Sequence, residues 1–241
     1  METTIPAAFA AAVRREPTTP LLTWYDDATG DRTELSGATL DNWLAKTANL
    51  LVDGAGLGAG DTAGVLLPPH WQTAAVLLGA WAAGLAVQVG GPPQPVDVLF
   101  STPDADAAGA WSAGDRYVTG LLPLAMPLRD VPPGSVDYPT EVRNYGDHFR
   151  ATRPVGPDAP AFAGAGPRSH ADAMRAATER AAALGLAAGA RVLIDARAHP
   201  DPADWLLAPL AAGASIVLCA HLDAAKVPDR VSAERVTHTL A

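Results

Sequence analysis

The sequence predicts an α/β fold made of two Rossmann-like units in tandem. Three observations carry that prediction: apolar runs that alternate between strand and helix spacing, a long internal repeat, and a proline-rich stretch between the two copies.

The elements follow in order. Phe9–Arg15 is expected as a short helix and Leu21–Tyr25 as a strand. Asp26–Gly30 is a turn, because Asp offers local side-chain hydrogen bonds and Gly a positive φ. Arg32–Leu35 returns as a second strand and completes a hairpin. In Ala38–Asp53, residues Leu40, Trp43, Leu44, Thr47, Leu50 and Leu51 fall at three- and four-residue steps and give a helix one apolar face. The run Gly54–Gly60 stops it. Thr62–Leu67 reads as a buried strand, Trp71–Ala83 as a helix ended by Gly84, and Leu85–Val89 as another strand. Further strands are expected at Val96–Phe100 and Tyr117–Leu124, amid prolines that make 90–160 the weakest stretch and the best place for a boundary.

The pattern then returns. Ser169 is read as the cap of a helix to Leu184, followed by a stop at Gly185–Gly189, a strand at Ala190–Asp195, a helix at Pro202–Ala212 and a strand at Ser215–Cys219. The offset that puts Gly84 on Gly213 also puts Leu57 on Leu186, Gly60 on Gly189, His70 on His199 and Leu77-Leu78 on Leu206-Leu207. The expected organisation is a first α/β subdomain with its hairpin (1–142), a Pro/Gly-rich connector (143–168), and a second, incomplete α/β subdomain (169–241).

Composition excludes several function classes. The 241 residues are 49% hydrophobic, enough for a sizeable core, and carry a net charge of -9, which speaks against nucleic acid as a partner. No apolar stretch has the length of a membrane span, and no basic amphipathic helix suggests membrane binding. The first residues lack the basic-then-apolar pattern of a secretory signal. The single cysteine, Cys219, cannot form a disulfide within the chain, which fits the cytoplasm; its apolar surroundings make it a small buried hydrophobe.

Other patterns are weighed against plain structural roles. Gly54–Gly60 follows a helix and precedes a strand, the reverse of a dinucleotide fingerprint. The histidines show no metal-ligand spacing with Cys or carboxylates, so no metal is expected. His70 and His199 fall at equivalent repeat positions after strands, where α/β sheets often bind ligands. No G-x-S-x-G elbow supplies a hydrolase nucleophile.

Three passages resemble the N-terminal part of the adenylate-forming superfamily, which comprises acyl-CoA synthetases, peptide-synthetase adenylation domains and luciferases. They are Leu21–Leu44 with Arg32-Thr-Glu-Leu-Ser-Gly37, then Leu57-Gly-Ala-Gly-Asp61 through Gly84-Leu-Ala-Val87, then Ser169-His170 through Leu186 with Leu206–Leu218. The resemblance implies two similar α/β subdomains. It also implies a Ser/Thr/Gly-rich phosphate loop with a lysine before the Ser-His helix. The corresponding segment here is Ala161–His170, which has lost the hydroxyl run and carries Arg168 near the lysine position. Its residues Gly164, Gly166, Arg168, Ser169 and His170 are the candidate cofactor-binding set of a degenerate phosphate loop. The chain reaches Ala241 without the family's Tyr-Gly-x-Thr-Glu segment, ribose-binding aspartate or catalytic lysine.

The resemblance therefore implies a scaffold with no catalytic residues assigned. It leaves ATP or AMP open as weak ligands, with an acyl group or a lid-supplying partner as the alternative. A protein partner, or a second copy of the chain, is expected on the surface that the remainder covers in longer relatives.

Overall fold

The structure is a computed structural model describing residues 3–240 apart from Ala108, Ala165 and Pro167. In chain order it contains α1 (Ile5–Arg15), β1 (Pro20–Asp26), β2 (Asp31–Ser36), α2 (Gly37–Asn49, continued by one wide turn, Leu50–Gly54), β3 (Thr62–Leu66), α3 (Trp71–Ala83), β4 (Ala86–Val89) and β5 (Val96–Ser101). Next come α4 (Pro103–Ala107), β6 (Ala113–Val118), β7 (Val136–Asp137), α5 (Tyr138–Glu141), β8 (Pro160–Phe162), β9 (Arg168–Ser169) and α6 (His170–Ala183). The chain closes with β10 (Arg191–Asp195), α7 (Ala208–Ala212, entered through a wide turn at Ala203–Leu207), β11 (Ser215–Ala220), α8 (Val227–Ala233) and β12 (His238–Leu240).

Among the described residues these strands form two sheets. One has the order β7-β6-β5-β3-β4-β8-β9 and the other β12-β10-β11-β1-β2. Pairing is parallel except in two hairpins, β1–β2 and β8–β9. The chain divides into two units: 1–6, 41–67 and 75–171 in the first, and 7–40, 68–74 and 172–241 in the second.

The repeat expected from the sequence is carried in the backbone. Thr62 pairs with Ala86 in β3–β4, and the equivalent Arg191 pairs with Ser215 in β10–β11. The bonds Ala86 N–H to Asp61 O and Ser215 N–H to Ala190 O occupy the same place, at 3.0 and 2.9 Å. Both helix ends use a left-handed glycine, Gly84 at φ 93° and Gly213 at φ 72°, a conformation that L residues with a Cβ reach only at a cost.

The repeat extends to the hairpins, which trade places. Each hairpin feeds the first helix of its own copy, β1–β2 into α2 and β8–β9 into α6. Yet β1 pairs with β11 of the second copy, and β8 pairs with β4 of the first. The expected placement of the hairpin within 1–142 therefore differs from the observed pairing. The inward side chains Leu22 and Trp24 of β1 are buried beside β11, whose edge would otherwise be open.

The connector expected at 143–168 falls wholly within the first unit. Lys46 Nζ donates to Tyr145 O at 2.7 Å, and Asn49 Nδ2 donates to Gly146 O and His148 O at 2.8 and 3.0 Å, so α2 holds this stretch down. Just before it, Asp137 caps α5 by accepting from Thr140 N–H at 2.9 Å, and the buried Tyr138 hydroxyl shares a 2.7 Å hydrogen bond with Thr47. The strand expected at Tyr117–Leu124 instead ends at Val118: Leu121 and Leu124 adopt φ 53° and 54°, which no strand accommodates.

The first unit's core is built on the α3 residues Ala75 to Trp81, which are buried, with Phe100 stacked on Tyr117 at 5.4 Å. Gly79 lets α2 approach: a Cβ there would lie 2.5 Å from Thr47 Cβ. The second unit buries Val192, Leu193, Ile194, Val217 and Leu218 in its central strands. Its α8 is fixed by ion pairs, Arg230 to Asp27 at 2.6 Å and Glu234 to Arg191 at 2.5 Å.

Candidate functional site

The segment resembling a phosphate loop is the turn between β8 and β9. Parallel pairing of Val87 with Phe162 places β8 beside β4, and the chain then reverses so that Arg168 pairs antiparallel with Phe162. The base of the turn is buried and anchored: the Trp81 indole N–H donates to Ala161 O at 2.7 Å, and its ring meets Phe162 edge-on at 5.4 Å.

The five candidate residues take different places around this turn. Gly164 has φ 90°, and a Cβ there would lie 3.3 Å from the Gln88 side chain. Gly166 is exposed with open space around it. The Arg168 guanidinium lies over the Phe162 ring at 4.3 Å, and no carboxylate pairs with it among the described residues. Ser169 lies in β9, directly before α6, which begins at His170.

His170 is fully buried, and its Nδ1 accepts the Ile5 backbone N–H at 3.4 Å. Burial lowers its pKa to about 4, so the ring is neutral at pH 7 with its proton on Nε2, which has no hydrogen-bond partner among the described residues. Gly164 and Gly166 thus lie in the turn, Arg168 and Ser169 in β9, and His170 in the core. Ala161, Ala163, Gly164 and Gly166 offer backbone groups but no hydroxyls. A backbone turn with one cation can attract an anion.

Gln88 is the residue that the sequence reading missed. It is buried, flanks Gly164, and donates through Nε2 to Gly90 O and Pro92 O at 3.2 and 3.0 Å. Its signal was available in the repeat overlay, where it stands opposite Val217. A polar side chain replacing a core aliphatic marks a position with its own hydrogen-bonding task.

The paired histidines have structural roles. His70 is buried edge-on against Trp24 at 4.3 Å, and its Nδ1 accepts Gln72 N–H at 3.0 Å. His199 Nδ1 lies 3.3 Å from Asp204, which also holds Arg180 at 2.7 Å. No cluster of three or more His, Cys, Asp or Glu could hold a metal among the described residues. No described helix is long and apolar enough to cross a membrane.

Known proteins place this geometry. No protein-family model matches the chain. The chain is 43% identical over 250 residues to a Mycobacterium tuberculosis protein described as "TIGR03089 family protein", covering 98% of this chain and 100% of that one. Among solved structures it is similar to a Mycobacterium tuberculosis fatty acyl CoA synthetase, with TM-score 0.68 and 15% identity over 98% of this chain and 48% of that one. It is also similar to the anthranilate CoA ligase AuaEII in complex with anthranoyl-AMP, with TM-score 0.71 and 14% identity over 99% of this chain and 48% of that one. The N-terminal domain of FACL13 from Mycobacterium tuberculosis matches with TM-score 0.69 and 16% identity over 98% of this chain and 62% of that one. The fold is that of the N-terminal domain of adenylate-forming enzymes, and the chain spans about half the length of the two ligases.

Proposed function

We propose, from the premise that the chain belongs to the TIGR03089 protein family, that it is a binding protein built on the N-terminal scaffold of adenylate-forming enzymes and forms no acyl adenylate by itself. The observation that supports this is the β8–β9 turn. Its backbone reverses through Gly164 with alanine and glycine where hydroxyls would be needed, and its one cation, Arg168, rests on Phe162. The test is ATP–pyrophosphate exchange with the pure chain across a panel of carboxylic acids. The expected result is no exchange above buffer; exchange that disappears in Arg168→Gln overturns the proposal.

A second reading keeps a residual ligand at the same turn: a weak nucleotide or acyl site, completed by a partner that supplies the lid. Arg168 favours it, since the guanidinium has no carboxylate among the described residues and stands beside the open Gly166. Its expected mark is a rise in melting temperature with ATP or AMP that Arg168→Gln removes. An unchanged melting temperature with both nucleotides rejects it.

A further inference from the structure

A cleft of about 460 Å³ opens in the second unit, at the amino ends of the parallel strands β10 and β11 and beside the last residues of α1 and α8. Its volume is in the range of small-molecule sites. Four arginines line it, Arg15, Arg32, Arg191 and Arg235, against three glutamates, Glu16, Glu34 and Glu234.

The pairing among these groups is uneven. Glu234 is taken by Arg191 at 2.5 Å and Arg32 at 2.8 Å, and Arg32 also reaches Glu34 at 2.5 Å. Those two arginines and two glutamates neutralise one another. Arg15 and Arg235 pair with no carboxylate among the described residues, and Glu16 accepts from Thr19 Oγ1 at 2.9 Å. One positive charge is left over on a chain of net charge -9.

Two local features accompany the unpaired arginines. Arg15 sits so closely over Gly213 that a Cβ at 213 would collide with its Nη1. Arg235 has φ 53°, a left-handed backbone that non-glycine residues seldom adopt. Apolar Leu21 and Ala214 complete the wall. From these observations we infer that this cleft binds a small molecule through a carboxylate or phosphate group, with Arg15 and Arg235 as its anion contacts. The site is separate from the β8–β9 turn, which belongs to the first unit.

The experiment is isothermal titration of the full chain with pyrophosphate and, separately, with citrate, at low ionic strength. Saturable binding of either probe, weakened about tenfold by Arg15→Gln and by Arg235→Gln, is expected. Pyrophosphate alone would assign a phosphate-bearing ligand and citrate alone a carboxylate. Both side chains are exposed, so the variants should keep the parent melting temperature. Absence of heat from both probes, or binding unchanged in both variants, overturns the inference. So does binding lost in Arg168→Gln but kept in Arg15→Gln and Arg235→Gln, which would move the anion to the turn. Silence in ATP–pyrophosphate exchange bears on the earlier proposal and leaves this one standing.

Discussion

The Glu234 carboxylate accepts Arg191 Nη2 at 2.5 Å, tying the residue that follows α8 to the first residue of β10. Tyr25 OH and Arg32 converge on its other oxygen, at 2.5 and 2.8 Å. Burial works to raise the Glu234 pKa, and the hydrogen bonds from Tyr25, Arg191 and Arg32 outweigh it, holding the pKa at about 2.

Glu234→Gln is therefore expected to destabilise the fold by about 2–3 kcal/mol at pH 7, because it leaves two arginines facing a neutral amide. Urea denaturation should show a lower midpoint with an unchanged slope. A midpoint equal to that of the parent would show that solvent compensates the pair.

Acidification should remove stability in two steps. His170 and His70 are held neutral by burial, with pKa values lowered from 6.5 to about 4 and about 3, so stability present above pH 6.5 falls as they protonate. Glu234 has its pKa depressed from 4.5 to about 2, so its contribution is full above pH 4.5 and lost toward pH 2. Denaturation midpoints from pH 7 to pH 3 should show both losses in the parent. In Glu234→Gln only the upper one should remain distinct.

Trp81→Phe keeps the ring contact with Phe162 but deletes the 2.7 Å bond to Ala161 O. A buried carbonyl losing its donor costs about 1–3 kcal/mol. The effect should be local, with hydrogen exchange at 160–169 accelerating more than in β10 and β11. Uniform acceleration would contradict the role of Trp81 as anchor of the turn.

Gly213→Ala meets two obstacles, φ 72° and the Arg15 guanidinium, whereas Gly56→Ala meets only φ 71° with open space. The first should cost about 0.5 kcal/mol more than the second, read from thermal unfolding, because the obstacle is the end of a flexible side chain. Equal losses would mean that Arg15 swings away freely.

Cys219 is fully buried, and burial pushes its thiol pKa up to about 11 despite Arg230 Nη1 at 3.4 Å. Ellman's reagent at pH 8 should leave the native chain unlabelled and label it fully in denaturant. Rapid native labelling would reveal an opening near β11.

Local pattern made much of this fold legible. Leu40, Leu44 and Leu50 marked the buried stripe of α2, and the matched glycines at 60, 84, 189 and 213 marked the turns of both copies. Pairing partners were not legible, because nothing in Leu21–Leu35 says that its edge belongs with β11. The pairing of Ser169 with Pro160 in β9 was not legible either, since Ser169 read only as the residue before a helix. Leu121 and Leu124 looked like strand residues until their left-handed backbone showed a loop. At the turn, Gly164 and Arg168 could be named from sequence. His170 Nδ1 accepts the backbone N–H of Ile5, a residue 165 positions away, a contact that local pattern does not reveal.

The exchanged hairpins bear on how the chain is made. During synthesis β1–β2 is made before β11, so Leu22 must wait for Ile216 before its outer edge is satisfied. Until β11 emerges that edge lacks its partner strand, which exposes the nascent chain to misassembly.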